Sequence, residues 1–86
     1  MKFTTEMVNE YLTLVNDENP IHRSIVPGQL ICEKVFSELN VYWMDYKIKY
    51  LKSINIDEEV QFLIKENDEI VVFKTYDDIK LTITRS

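Results

Sequence analysis

Up to Leu39 the apolar residues recur at three- and four-residue intervals, and beyond Asn40 they alternate with polar ones. Those two periods predict helices first and strands afterwards. Met7, Val8, Tyr11, Leu12, Leu14 and Val15 form one apolar stripe, with Asn9, Glu10 and Thr13 between them. Thr4 and Thr5 are good N-cap residues, because a hydroxyl accepts a free N–H of the first turn. Glu6 suits the positive end of the helix dipole. A helix is therefore expected over about residues 5–15, with Met1 to Phe3 ahead of it as an edge strand or arm. Pro20 disfavours α conformation at Asn19 and stops the helix by that point.

A second helix is expected from Pro27 or Gly28 to Leu39, with Leu30, Ile31, Cys32, Val35, Phe36 and Leu39 as its broad apolar face. Proline at a first helical position gives up a donor that would be unpaired anyway, and Asn40 is a plausible stop. Tyr42, Met44, Tyr46, Ile48 and Tyr50 then alternate as a long half-buried strand, and Val60, Phe62 and Ile64 as another. Turns at Asn67-Asp68-Glu69 and Asp77-Asp78 bracket the β-branched and aromatic run Ile70–Tyr76, and Ile79, Leu81 and Ile83 close the chain. The expected fold class is α+β. A four-stranded antiparallel sheet, its last three strands a meander, should wrap the second helix, with the first helix packed beside it.

Composition narrows the class. A chain of 86 residues is a single small domain, able to bury only roughly 60–65% of its unfolded surface, so self-association is one route to further burial. The apolar fraction of 45% and charged fraction of 29% are those of an ordinary globular protein. A net charge of −5 argues against nucleic acid as a partner, since that binding needs a dense basic face. Lys47, Lys49 and Lys52 read as solvated strand lysines rather than a phosphate site. A lone cysteine, Cys32, suits a reducing compartment. There is no membrane-length apolar run and no signal-like stretch after Met1. A cytoplasmic location is expected.

Chemistry concentrates between Asp17 and Gly28, which hold the only histidine, the only glycine and both prolines. His22 titrates near neutral pH when unperturbed, and Asp17 can act as a base where its surroundings raise its pKa. Pro20 stiffens the link between them. The start of the second helix offers unpaired N–H donors and the positive dipole end, which can polarise a carbonyl. Gly28 has no side chain to hold a substrate away from that backbone. A plainer reading is also open: Asp17 and Asn19 turn the chain, and His22 is a half-buried ring. Cys32 reads as core. Neither a metal nor a cofactor site is expected, with one His, one Cys and one Gly in the chain.

Phe3-Thr4-Thr5-Glu6, the helix to Val15, Asp17-x-Asn19-Pro20-Ile21-His22 and Val26-Pro27-Gly28-Gln29-Leu30 resemble the MaoC-like dehydratases, which include the (R)-specific enoyl-CoA hydratases. The strand Tyr46–Leu51 followed by Ile56-Asp57-Glu58-Glu59-Val60 resembles the family's strand, turn and next strand. The resemblance implies a hotdog fold, an antiparallel sheet around a central helix, and a hydro-lyase acting on an acyl-CoA or acyl-carrier thioester. It implies that Asp17 and His22 are the acid/base pair that binds the water, with Asp17 as its base and His22 managing the proton at C2. Gly28 would polarise the thioester carbonyl through its N–H, and Asn19 and Pro20 would shape the loop. It also implies a homodimer. The family has a longer segment between the histidine and the helix glycine than His22 to Gly28 allows here. Two alternatives therefore stand beside it, an inactive acyl-CoA-binding, regulatory or interaction subunit and an acyl-CoA thioesterase.

Overall fold

A computed structural model describes residues 1–15 and 25–86. Among them the chain forms two helices and a four-stranded antiparallel sheet, in the order α1 (Thr5–Leu14), α2 (Gly28–Leu39), β1 (Tyr46–Tyr50), β2 (Gln61–Lys65), β3 (Glu69–Thr75) and β4 (Asp78–Arg85).

The start of α1 is capped as its sequence requires. Thr4 is extended, and its Oγ1 accepts the Met7 N–H at 3.2 Å. Val8 is fully buried and Met7 and Leu12 pack against the core. The far end of the stripe does not follow: Leu14 and Val15 are 80% and 50% exposed. The helix ends at Leu14, so the last part of the apolar stripe lies beyond the core its first turns reach.

In α2 the apolar face is used in full. Ile31, Cys32, Val35 and Phe36 are buried in one cluster with Ile70, Val72, Leu81 and Ile83 of the sheet. At its end Asn40 adopts a left-handed conformation, φ 57° and ψ 42°. The N–H groups of Asn40 and Val41 return to the Ser37 and Phe36 carbonyls at 3.2 and 3.0 Å. This paired closure satisfies carbonyls that a helix end otherwise leaves open.

The strand order is β1-β4-β3-β2. The last three strands are the expected meander, and β1 lies on the far side of β4 rather than beside β2. Both hairpin turns fall one residue earlier than expected. Lys65 pairs with Glu69 across residues 66–68, where Asp68 has φ 58°, and Thr75 pairs with Asp78 across Tyr76-Asp77. A left-handed residue in a three-residue loop is a regular hairpin solution.

The first strand is shorter than its alternation suggests. The ladder with β4 begins at Tyr46, which faces Arg85, and before it the Ser86 N–H donates to the Asp45 carbonyl. Tyr42 and Met44 are accordingly 76% and 93% exposed. Trp43 packs edge-on against Phe36 with ring centroids 5.7 Å apart. The N-terminal arm does meet the sheet region: Lys2 bridges to Glu59, and Met1 and Val60 exchange backbone hydrogen bonds of 2.8 Å.

Candidate functional site

The start of α2 is fixed from outside the helix. Ile25 bridges to Asn55, and the Val26 N–H donates to the Ile54 carbonyl at 2.8 Å. Pro27, extended at φ −60° and ψ 136°, supplies no side-chain cap, so Gly28 begins the helix with its first-turn donors uncapped by a side chain. These contacts set Pro27-Gly28 against the segment that leaves β1. Between them lies a cavity of about 320 Å³. Buried Val26, Ile31, Ile54 and Leu81 lie behind it, Gly28, Tyr50, Leu51, Lys52 and Ser53 line its open mouth, and polar and apolar groups share its surface about equally.

Tyr50 lies directly across Gly28. A Cβ at position 28 would stand 2.6 Å from the Tyr50 Cζ and nearer still to its Cε1 and hydroxyl. A side chain at position 28 would therefore fit only with the Tyr50 ring turned aside.

The wall opposite α2 is held by charge. The Leu51 and Lys52 N–H groups both donate to the Lys80 carbonyl at 2.9 Å. Lys80 occupies an irregularity in β4, where Val72 faces Leu81 but Phe73 already faces Ile79. The extra residue turns its side chain under the β1–β2 connection, and Lys80 is the buried lysine among the described residues, 6% exposed. Its Nζ lies 3.3 Å from Glu58 Oε2 and 3.4 Å from Asp78 Oδ2. Lys74 approaches Glu58 at 3.3 Å, and Lys52, on the cavity rim, approaches Asp78 Oδ1 at 3.0 Å. Burial by itself would raise the Glu58 pKa, but the Asn55 N–H and the Lys74 and Lys80 ammoniums outweigh it and hold the carboxyl below its ordinary range.

Behind Tyr50 sits a second polar group. Gln29 Nε2 donates to the Tyr46 hydroxyl at 3.1 Å. Burial pushes the Cys32 thiol up, a Tyr46 hydrogen bond partly offsets this, and the charge of Glu33 adds to it. Cys32 is fully buried and acts as core, as its place on the α2 face suggests. On the opposite face of the sheet a depression of about 240 Å³ is lined by Leu63, Lys65, Val71, Phe73, Tyr76 and Ile79. It brings together no acid–base pair among the described residues.

Of the residues singled out by sequence, Gly28 lies on the cavity rim. Asp17, Asn19, Pro20 and His22 lie outside the described residues. No group of three or more His, Cys, Asp or Glu side chains that could hold a metal occurs among the described residues. No helix among them is long and apolar enough to cross a membrane. Sequence reasoning missed Tyr50 as a rim residue and the Lys80–Glu58–Asp78 cluster. Strand alternation marks Tyr50 as helix-facing, but nothing local marks it as the neighbour of Gly28. No family model matches the chain, and neither a curated protein nor a solved structure matches it.

Proposed function

We propose that this chain is a small hotdog-type protein of the MaoC-like kind that hydrates or dehydrates a short acyl-CoA or acyl-carrier thioester in the cytoplasm, as a homodimer. The observation that carries the reading is the cavity opening at Gly28, the first residue of α2, six positions beyond His22 in sequence. In the hydration direction Asp17 takes a proton from water as its oxygen bonds C3 of the enoyl group. Charge moves to the thioester oxygen, where the Gly28 N–H and the helix dipole stabilise it. The proton returns to C2 through His22, so atoms and charge balance. No metal or cofactor takes part in this scheme.

Hydration of crotonyl-CoA tests it. Wild-type protein should turn the substrate over, and Asp17→Asn and His22→Ala should each lose about a hundredfold or more, the usual weight of a positioned acid or base. Equal rates in all three proteins would remove Asp17 and His22 from the mechanism. The Tyr50 ring over Gly28 favours a second reading, thioester binding without turnover. Calorimetric binding of a CoA ester with no conversion would select it, whereas release of free thiol would point to thioester hydrolysis.

A further inference from the structure

The cavity joins fixed side chains to an exposed rim, on which Tyr50 is the one aromatic ring. Ile31, Ile54 and Leu81 are buried side chains wedged in the core, and they cannot move without disturbing it. Tyr50 is different. It is the last residue of β1, and its side chain is 61% exposed while its ring tip rests on Gly28. Its hydroxyl has no hydrogen-bond partner among the described residues, in contrast to Tyr46, which Gln29 holds. Tyr46 is also locked edge-on against Phe36, with centroids 5.1 Å apart.

The backbone at and just beyond Tyr50 is held to β4. Tyr50 pairs with Leu81, and the next two N–H groups both bind the Lys80 carbonyl. Any movement of this wall is therefore a rotation of the Tyr50 side chain rather than of the strand, and such rotations in exposed residues are fast. Burial raises the Tyr50 pKa, with the nearby Cys32 and Tyr46 adding to the rise, so the ring stays neutral and compatible with an apolar occupant. With Tyr50 in place, about 320 Å³ corresponds to about ten water-sized groups at roughly 30 Å³ each. Four- to eight-carbon acyl groups with their thioester, up to about ten heavy atoms, fit that space, and a twelve-carbon group, at about fourteen, exceeds it.

We propose that Tyr50 is the specificity-determining residue of this cavity, a side-chain gate over Gly28 that sets the longest acyl group admitted. The assignment rests on the acyl-thioester reading for its substrate, and on the packing of Tyr50 against Gly28 for its mechanism. It is the ring's bulk that matters, not its hydroxyl.

Two ligand series test it on the full chain. One is CoA esters of four to twelve carbons, read by binding and turnover. The other is primary alcohols from butanol to dodecanol, read by methyl NMR shifts of Ile31, Ile54 and Leu81, which need no thioester chemistry. Wild type should favour the shorter members by about tenfold or more over the twelve-carbon ones, Tyr50→Phe should keep that preference, and Tyr50→Ala should abolish it. Tyr50→Trp should move the cut-off to shorter chains, and it decides the matter if Tyr50→Ala does not fold. A cut-off in the alcohols that moves with position 50, with no CoA ester bound, keeps the gate and overturns the thioester reading. A length preference that is the same in wild type, Tyr50→Ala and Tyr50→Trp overturns the gate even if thioesters are turned over.

Discussion

Glu58 should matter more to stability than the lysine it neutralises. Glu58→Gln keeps the shape of the side chain and an oxygen for the Asn55 N–H at 3.0 Å, but removes the charge facing Lys80. The Lys80 ammonium, 8% exposed at the side chain, is then left with Asp78 at 3.4 Å, which it shares with Lys52. Removing one partner of a fully buried pair costs about 3–5 kcal/mol, because the other charge stays buried and uncompensated. Here Asp78 remains and is 27% exposed, which lowers the expectation to about 2 kcal/mol. Lys80→Met removes the buried charge itself. Glu58 then keeps Lys74 at 3.3 Å, and Asp78 keeps Lys52 at 3.0 Å, so no uncompensated charge is created. That variant should lie within about 1 kcal/mol of wild type, in either direction. Urea and thermal unfolding, followed by tryptophan fluorescence of Trp43, separate the two. Glu58→Gln should lower the thermal midpoint by about 8–16 °C, at 4–8 °C per kcal/mol for a domain of this size. If Lys80→Met proves as destabilising as Glu58→Gln, the uncompensated-charge argument is wrong and Lys80 stabilises through packing or direct attraction.

The remaining expectations use the same geometry. Because Glu58 has its pKa lowered in the folded state from an ordinary 4.5, its contribution is fully present above that value and is lost as pH falls through the folded-state pKa. Acid titration of unfolding free energy should thus show a decline below the ordinary value that is shallower in Glu58→Gln, and parallel slopes would contradict the pairing. Gly28→Ala should push the exposed Tyr50 ring aside at a cost below about 1 kcal/mol; a larger loss that Tyr50→Ala relieves in a double-mutant cycle would show the ring to be fixed. Asn40→Ala should cost about 1 kcal/mol through its left-handed backbone at φ 57°, while Asn40→Gly should cost nothing, as read by urea midpoints. Cys32, buried and with its thiol pKa raised, should react with a thiol reagent on the order of a hundredfold more slowly in native than in unfolded protein; fast native labelling would place it at an accessible site.

Local physics made much of the fold readable. The Thr4 cap, the α2 face from Ile31 to Phe36, the Asn40 stop and the β2–β3–β4 meander each depend on residues close in the chain, and each occurs. Misreadings arose where a local pattern needed a distant partner. Alternation continues through Tyr42 and Met44, but the ladder with β4 starts only at Tyr46, and an apolar stripe continues to Val15 past the last buried turn of α1. The candidate site divides the same way. Gly28 was legible as an unusual residue at a helix start, and the Asp17…His22 pattern remains a matter of sequence alone.

By itself, then, the sequence determined the element types, the helix limits and the apolar face of α2, because periodicity, capping and turn preference act over a few residues. Only the tertiary structure decided that β1 lies beyond β4, that the extra residue at Lys80 sends a charge beneath the Leu51–Glu58 connection, and that Tyr50 rests on Gly28. Those three features arise from strand order, register and close approach between segments far apart in the chain, and no local preference encodes them. They convert a lone glycine at a helix start into the rim of a cavity with a movable wall.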